Sequence, residues 1–288
     1  MTFNPLAAIN VTEVSLNLKN KDSGVIDMGS QTLNFSPGII DKILQRRFSI
    51  DKQTEENLKD FKNRLLNDTK ITTKDFILNL GFKKYLSIDV NGAYDSLSYD
   101  LNEVIKEKYN YKKSYDLVIN NGTGEHVFNQ FSLFKNMHNF CVPGGVMLHV
   151  LPFIDWINHG FYSFHPIIFG DIASSNNYKI KKISFANRDG GELLINEEYF
   201  KNVYEQIKPN DNNSFFYKII EHAKKTLGRN IIIVCVFEKI FEDEFKIPLQ
   251  GKYLSDVKEN LKFESKYKLQ PLGSAEAKNQ LADNLKRI

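Results

Sequence analysis

The run IIIVCVF, residues 231 to 237, is apolar at every position. A strand with one wet face alternates apolar and polar residues, so an unbroken run of Ile, Val and Phe belongs to a strand covered on both faces. Five further apolar-rich segments are strand candidates: GVIDM (24–28), KYLSIDV (84–90), YDLVIN (115–120), GVMLHVLPF (145–153) and KIKKISFA (179–186). Gly, Asn and Asp bound them, and stretches with helical apolar spacing separate them. This alternation predicts an α/β fold in which a mostly parallel sheet carries helices on its faces.

One domain spanning 1–288 is expected, because α/β units of about 250 residues form a single core. The longest interruption falls between the first two strands. IIDKILQRRF (39–48) and DKQTEENLKDFKNRLLND (51–68) have helical spacing, with Leu58, Phe61 and Leu65 on one face. Residues 36–70 are therefore expected to be a helical insertion, either a lid or a dimer arm. TTKDFILNLGF (72–82) starts on a Thr cap and ends at Gly81, the pattern of a crossover helix returning to the sheet. PNDNNS (209–214) reads as a turn, the segment FKIPLQGKYLSD (245–256) as a surface turn, and the lysine-rich tail as a solvated helix.

The bulk numbers exclude several classes. A net charge of +3 is too small to make the surface a polyanion trap, so nucleic acid is not an expected partner. The two cysteines, Cys141 and Cys235, sit in apolar surroundings and read as buried thiols of a reducing compartment, with cytoplasm the expected location. The N-terminal stretch has neither a basic n-region nor a long apolar run, so no signal peptide is expected. No window approaches the roughly 18 apolar residues of a membrane span.

Ligands of open α/β sheets bind beyond the carboxyl ends of the strands. Asp27-Met28-Gly29-Ser30-Gln31 follows the first strand, where one glycine permits close backbone approach. Asp89 ends the second, and a carboxylate there can accept both hydroxyls of a ribose, or simply start the VNGAYD turn. Asp100 follows in SYDLNEV and can meet an adenine or cap a helix. YDLVINNGTGEHV then supplies a strand, a polar glycine loop and the start of a helix, and CVPGG leads into the next strand.

The ordered set VIDMGSQ, YLSIDVNG, DLN, YDLVINNGTGEHV and CVPGGVMLHV resembles the class I S-adenosylmethionine-dependent methyltransferases over roughly residues 20 to 155. The resemblance implies a Rossmann-like three-layer α/β/α sandwich with a mostly parallel seven-stranded sheet, and S-adenosylmethionine as cofactor. It places Asp27, Gly29, Ser30 and Gln31 in the loop around the methionine part. It gives the ribose to Asp89, the adenine to Asp100 and Leu101, and the floor of the site to Asn120 and Gly122. The turn from Pro143 to Gly145 is structural in that family. Two departures stand out: the loop reads GSQTLN where further glycines are usual, and Asp27 to Asp89 spans 62 residues where about 20 is typical.

Methyl transfer needs a base only if the acceptor must lose a proton. His126, in GTGEHV, and His159, in NHGFYSFHP, are the candidate catalytic residues; each also suits a packing role. Trp156, Phe161, Tyr162 and Phe164 suit a pocket wall or a packed aromatic cluster, and His149 reads as a satisfied interior histidine. Some relatives hold a metal through ExxEH, but Gly122 stands where the first Glu would be, so no metal is expected. The resulting expectation is an enzyme methylating an oxygen or nitrogen of a small molecule or glycan precursor. A non-catalytic binding or scaffold protein of the same fold and an NAD-dependent oxidoreductase are the alternatives.

Overall fold

The computed structural model describes residues 2–46, 50–67, 70–200, 215–251 and 262–263. PNDNNS, the tail beyond residue 263 and the end of FKIPLQGKYLSD lie outside the described residues.

The strands are β1 (Thr2–Phe3), β2 (Val25–Asp27), β3 (Thr32–Leu33), β4 (Tyr85–Ser87), β5 (Tyr115–Asn121), β6 (Cys141–Ile154), β7 (Lys179–Ala186), β8 (Glu192–Leu194), β9 (Ile231–Glu238) and β10 (Lys262–Phe263). The main sheet runs β10-β7-β9-β6-β5-β2-β4, seven strands on one path, with the short β8 paired to β7. β1 and β3 form a separate parallel pair. Neighbours β4, β2, β5 and β6 are parallel. β9 lies between β6 and β7 and is antiparallel to both, so IIIVCVF is covered on both faces as expected but runs against the other long strands. An isolated parallel bridge between Ile88 and Leu97 extends the sheet past β4.

The helices are α1 (Pro5–Asn17), α2 (Gly38–Gln45), α3 (Lys52–Asn67), α4 (Thr73–Asn79), α5 (Ile105–Lys108), α6 (Gln130–Phe140), α7 (Pro166–Ser175) and α8 (Phe215–Leu227). Alternate strand residues feed two separate cores. Ile26, Val118, Met147 and Ile233 face α6 and α7 through Leu133, Met137 and Phe169. Val25, Leu117, Leu148 and Val234 face α1 to α4 through Leu6, Ile9, Ile43, Phe61 and Phe76. The result is a Rossmann-like α/β/α sandwich. α2 and α3 bury Ile39, Ile40, Ile43, Leu58 and Phe61 in the second core.

Local chemistry sets the ends of the elements. Asn4 caps α1 by accepting from the Ala7 N–H at 3.0 Å, with Pro5 at the first helical position. Thr72 and Asp75 form a reciprocal capping box on α4, and Gly81 leaves the helix with φ +89°. His126 falls in a short 3-10 turn (Gly124–His126), and α6 starts afresh at Gln130 under an Asn129 cap; no helix continues from Glu125 through Phe131. The Pro-Gly-Gly turn is drawn into the start of β6, where Gly144 has φ +78° and the pairing with β5 shifts register. Both cysteines are buried and free. Among the described residues no helix is long and apolar enough to cross a membrane.

Candidate functional site

From β2 the chain crosses outward to β4, whereas from β5 it proceeds in the opposite direction to β6. The carboxyl ends of β2 and β5 therefore meet at the topological switch point, where open α/β sheets bind ligands. A cavity of about 280 Å³ opens there. Gly29, Ser30 and Gln31 line it from the loop after β2, Asp89 from the end of β4, Asp100 and Leu101 from the next loop, and Gly122 and His126 from the loop after β5. Four separated stretches of sequence converge on one hollow. Asp27, Asn120 and His159 do not line it.

The loop after β2 is tied to β5. A Cβ added to Gly29 would lie 2.1 Å from Thr123 Oγ1, so the glycine lets the two loops touch. The Gln31 side-chain amide donates to the Asn121 backbone carbonyl and accepts from Asn121 Nδ2 at 2.5 Å, while the Gln31 backbone carbonyl accepts from Thr73 Oγ1 at 2.9 Å. Its side chain is a clamp between loop and strand. The Ser30 hydroxyl donates to the Ala93 carbonyl at 2.9 Å. Asp27 is fully buried and accepts from the Gly29 N–H at 3.3 Å and the Tyr85 hydroxyl at 3.4 Å. Burial pushes its carboxyl up to about 8, with the two hydrogen bonds opposing more weakly.

Asp89 and Asp100 both close turns. Asp89 Oδ1 accepts from the Asn91 N–H at 3.2 Å, and Asp100 Oδ1 accepts from the Asn102 N–H at 2.8 Å and from Asn102 Nδ2 at 2.9 Å. Turn role and cavity position coexist, since each carboxylate retains further acceptor capacity. Tyr99, also in the cavity wall, stacks on Tyr109 with ring centroids 4.2 Å apart.

After β5, Asn120 Oδ1 accepts from the Gly124 N–H at 2.9 Å and Gly122 donates to the Val150 carbonyl at 2.8 Å with φ +62°. This tight loop turns Glu125 inward and His126 outward: the Glu125 side chain is fully buried, whereas that of His126 is 47% exposed. The Glu125 carbonyl accepts from Phe161 N–H at 2.7 Å and from Tyr162 N–H at 3.3 Å. Gly160 presses against it so closely that an added Cβ would meet Glu125 O at 2.8 Å. The loop after β6 is thus stapled to Glu125, and His159 Nε2 comes to 3.3 Å from Glu125 Oε1, with His126 Nε2 at 3.9 Å from the same oxygen.

Neither Glu125 carboxylate oxygen has a hydrogen-bond partner, nor has His159 Nε2. Burial pushes the Glu125 carboxyl up to about 7. Burial lowers both histidines, assisted at His126 by His159 and at His159 by Arg188, which lies over the Trp156 ring. In the sequence Glu125 stood only as the second acid of an incomplete ExxEH pattern, between the tight Gly loop and His126.

The aromatic segment divides. Phe164 is buried, whereas Phe161 is 67% exposed and meets Phe128 edge-on. Trp156 donates to the Ile231 carbonyl at 2.9 Å. His149, read as a satisfied interior histidine, is buried with Nε2 unpartnered and a single long contact of 3.4 Å from Nδ1 to Asn120; burial lowers its pKa to about 3. A second hollow of about 440 Å³ borders Ser30 and Gln31 on their other side, with Lys74, Tyr85 and Tyr94 in its wall. The described part of FKIPLQGKYLSD runs back along α7, with Gly251 N–H donating to Asp171 at 3.1 Å.

No protein-family model matches the sequence, and no curated protein matches it. Among solved structures, the chain is similar to "StiE O-MT residues 942-1257" at 14% identity, covering 85% of this chain and 76% of that one, with a TM-score of 0.36. It is similar to an O-methyltransferase from a trans-AT PKS multienzyme of Brevibacillus brevis, in complex with S-adenosyl-L-homocysteine, at 8% identity, covering 89% and 79%, with a TM-score of 0.39. A third likeness is to a SAM-dependent methyltransferase from Thiobacillus denitrificans in complex with the same ligand, at 13% identity, covering 81% and 91%, with a TM-score of 0.31. These likenesses are distant, and the description of the fold rests on strand order and direction.

Proposed function

We propose that this protein binds S-adenosylmethionine in the switch-point cavity and transfers its methyl group to an oxygen or nitrogen of a small molecule or glycan precursor. The observation that carries the reading is the convergence of Gly29, Asp89, Asp100 and Gly122 on one cavity of about 280 Å³. That size is near the lower end, about 300 Å³, of pockets for small ligands. Asp89 offers a carboxylate to a ribose and Asp100 one to an adenine amino group, while Gly29 and Gly122 bring the loops after β2 and β5 into the cavity wall.

In the reaction the acceptor's lone pair attacks the methyl carbon, the carbon–sulfur bond breaks, and the sulfonium becomes a neutral thioether. The protein has to align the two reactants and exclude water. A hydroxyl or ammonium acceptor must also give up a proton. His126 lines the same cavity, and His159 packs on His126 with ring centroids 5.1 Å apart and against Glu125, which is the support for placing acceptor activation at these residues.

The test is a transfer assay with methyl-labelled S-adenosylmethionine and a panel of hydroxyl and amine acceptors. Label moving to an acceptor, and lost in Asp89→Ala, is the expected result. Folded protein that labels no acceptor across the panel would favour a non-catalytic binding role.

A further inference from the structure

We infer that Glu125, His126 and His159 form a binding site for one divalent transition-metal ion. The three side chains offer one ligand atom each within 4.8 Å of one another. Of the distances from Glu125 Oε1, the 3.3 Å to His159 Nε2 already matches what coordination needs and the 3.9 Å to His126 Nε2 exceeds it by about 0.6 Å. Two ligands each 2.0–2.1 Å from a tetrahedral zinc lie about 3.3 Å apart. Small rotations of two imidazoles, one of them half-exposed, would complete the set.

The state of Glu125 is the second observation. Its side chain is fully buried, yet both carboxylate oxygens lack any hydrogen-bond partner, as does the facing His159 nitrogen. Buried carboxylates are retained when they are paired or coordinate a metal. No lysine or arginine forms an ion pair with Glu125 among the described residues; its two ionic neighbours there are the histidines themselves. The backbone is built to hold this arrangement. The Phe161 and Tyr162 amides grip the Glu125 carbonyl, and Gly160 allows the loop to lie against Glu125, so His159 arrives from a remote part of the chain onto the carboxylate.

Two imidazoles and one carboxylate favour zinc, iron, cobalt or nickel over magnesium, which prefers oxygen donors. Three protein ligands leave coordination open, as in catalytic metal sites, and His126 also lines the switch-point cavity. An acceptor hydroxyl could occupy the open position and lose its proton more easily there. That role rests on the methyl-transfer reading, whereas metal binding does not. The sequence-based expectation of no metal rested on the incomplete ExxEH pattern; His159, distant in sequence, supplies a third ligand that the pattern does not contain.

The experiment uses the tag-free 288-residue chain, stripped with chelator and titrated with zinc, with cobalt as a spectroscopic substitute and S-adenosylhomocysteine titrated in parallel. One zinc per chain is expected, with visible absorption from bound cobalt. Glu125→Gln and His159→Ala should each weaken zinc binding at least tenfold with unchanged circular dichroism, and zinc should raise the melting temperature of the wild type only. Wild-type protein that takes up no zinc overturns the site, as do two folded variants that bind zinc like the wild type. Zinc uptake without S-adenosylhomocysteine binding supports the site and overturns the methyl-transfer reading instead.

Discussion

Gly29 and Thr123 occupy each other's space: a Cβ on Gly29 would stand 2.1 Å from Thr123 Oγ1 and 3.3 Å from its Cβ. The lone glycine of the first loop joins the ends of β2 and β5 at the point where the cavity opens. Its φ is not in the left-handed region, so the constraint is one of space. Gly29→Ala should destabilise the protein by about 1–3 kcal/mol, as overpacking does, and Thr123→Ala should relieve part of that. Urea unfolding of both single variants and the double variant measures the coupling; strictly additive effects would contradict the contact.

Asp27 predicts a pH dependence. Its carboxyl is raised from 3.8 to about 8 in the folded protein. Below pH 4 it is protonated in both states. Between about pH 4 and 8 the unfolded chain loses the proton first, so stability falls as pH rises through this window and levels off above it. The full swing is on the order of 5 kcal/mol. Asp27→Asn keeps an acceptor for the Gly29 N–H and removes the titration. Unfolding at pH 5 and pH 8 should therefore show a smaller decline in the variant, and an equal decline in both proteins would refute the assignment.

A buried ion cluster fastens α1 to the sheet. Lys182 Nζ contacts Glu13 at 3.0 Å, Glu192 at 2.8 Å and Asn10 at 2.6 Å, with all four residues buried. Lys182→Met leaves two buried carboxylates near each other with Arg46 as their remaining cationic neighbour and should cost about 3–5 kcal/mol. Adding Glu13→Gln and Glu192→Gln should recover much of the loss. A mild effect of Lys182→Met in denaturant titration would show that the cluster is not coupled in this way.

How far the sequence disclosed these features depends on how local each one is. The six strand candidates became β2, β4, β5, β6, β7 and β9 because apolar residues are concentrated in each, with burial on both faces in β2, β5 and β9 and half-buried residues at the start of β4 and β7. The direction of β9 is not, since an apolar run reads the same either way and only its neighbours settle its sense. Asp89, Asp100 and Gly122 were legible because the switch point places strand ends together. Asp27 and Gln31 show the limit: their place after the first strand was visible, but the partners Tyr85 and Asn121 lie on other strands. Glu125 was hardest to see, since its role depends on a loop after β6 folding back onto it. The single glycine was read as room for a ligand, whereas its nearest neighbour is Thr123.

Asp89 carries a binding prediction. A carboxylate accepting two ribose hydroxyls makes charge-assisted hydrogen bonds of about 1.5–3 kcal/mol each, so Asp89→Ala should weaken S-adenosylhomocysteine at least tenfold. The substitution removes one turn contact, to the Asn91 N–H, and should leave the fold intact by circular dichroism. Unchanged affinity in a folded variant would remove Asp89 from the ribose position.

Isothermal titration of the wild-type 288-residue chain with S-adenosylhomocysteine, with NAD in a parallel titration, tests the central claim most directly. The account predicts saturable binding of S-adenosylhomocysteine at one site per chain and none of NAD. Binding of NAD in its place, or of neither ligand by folded protein, would contradict it.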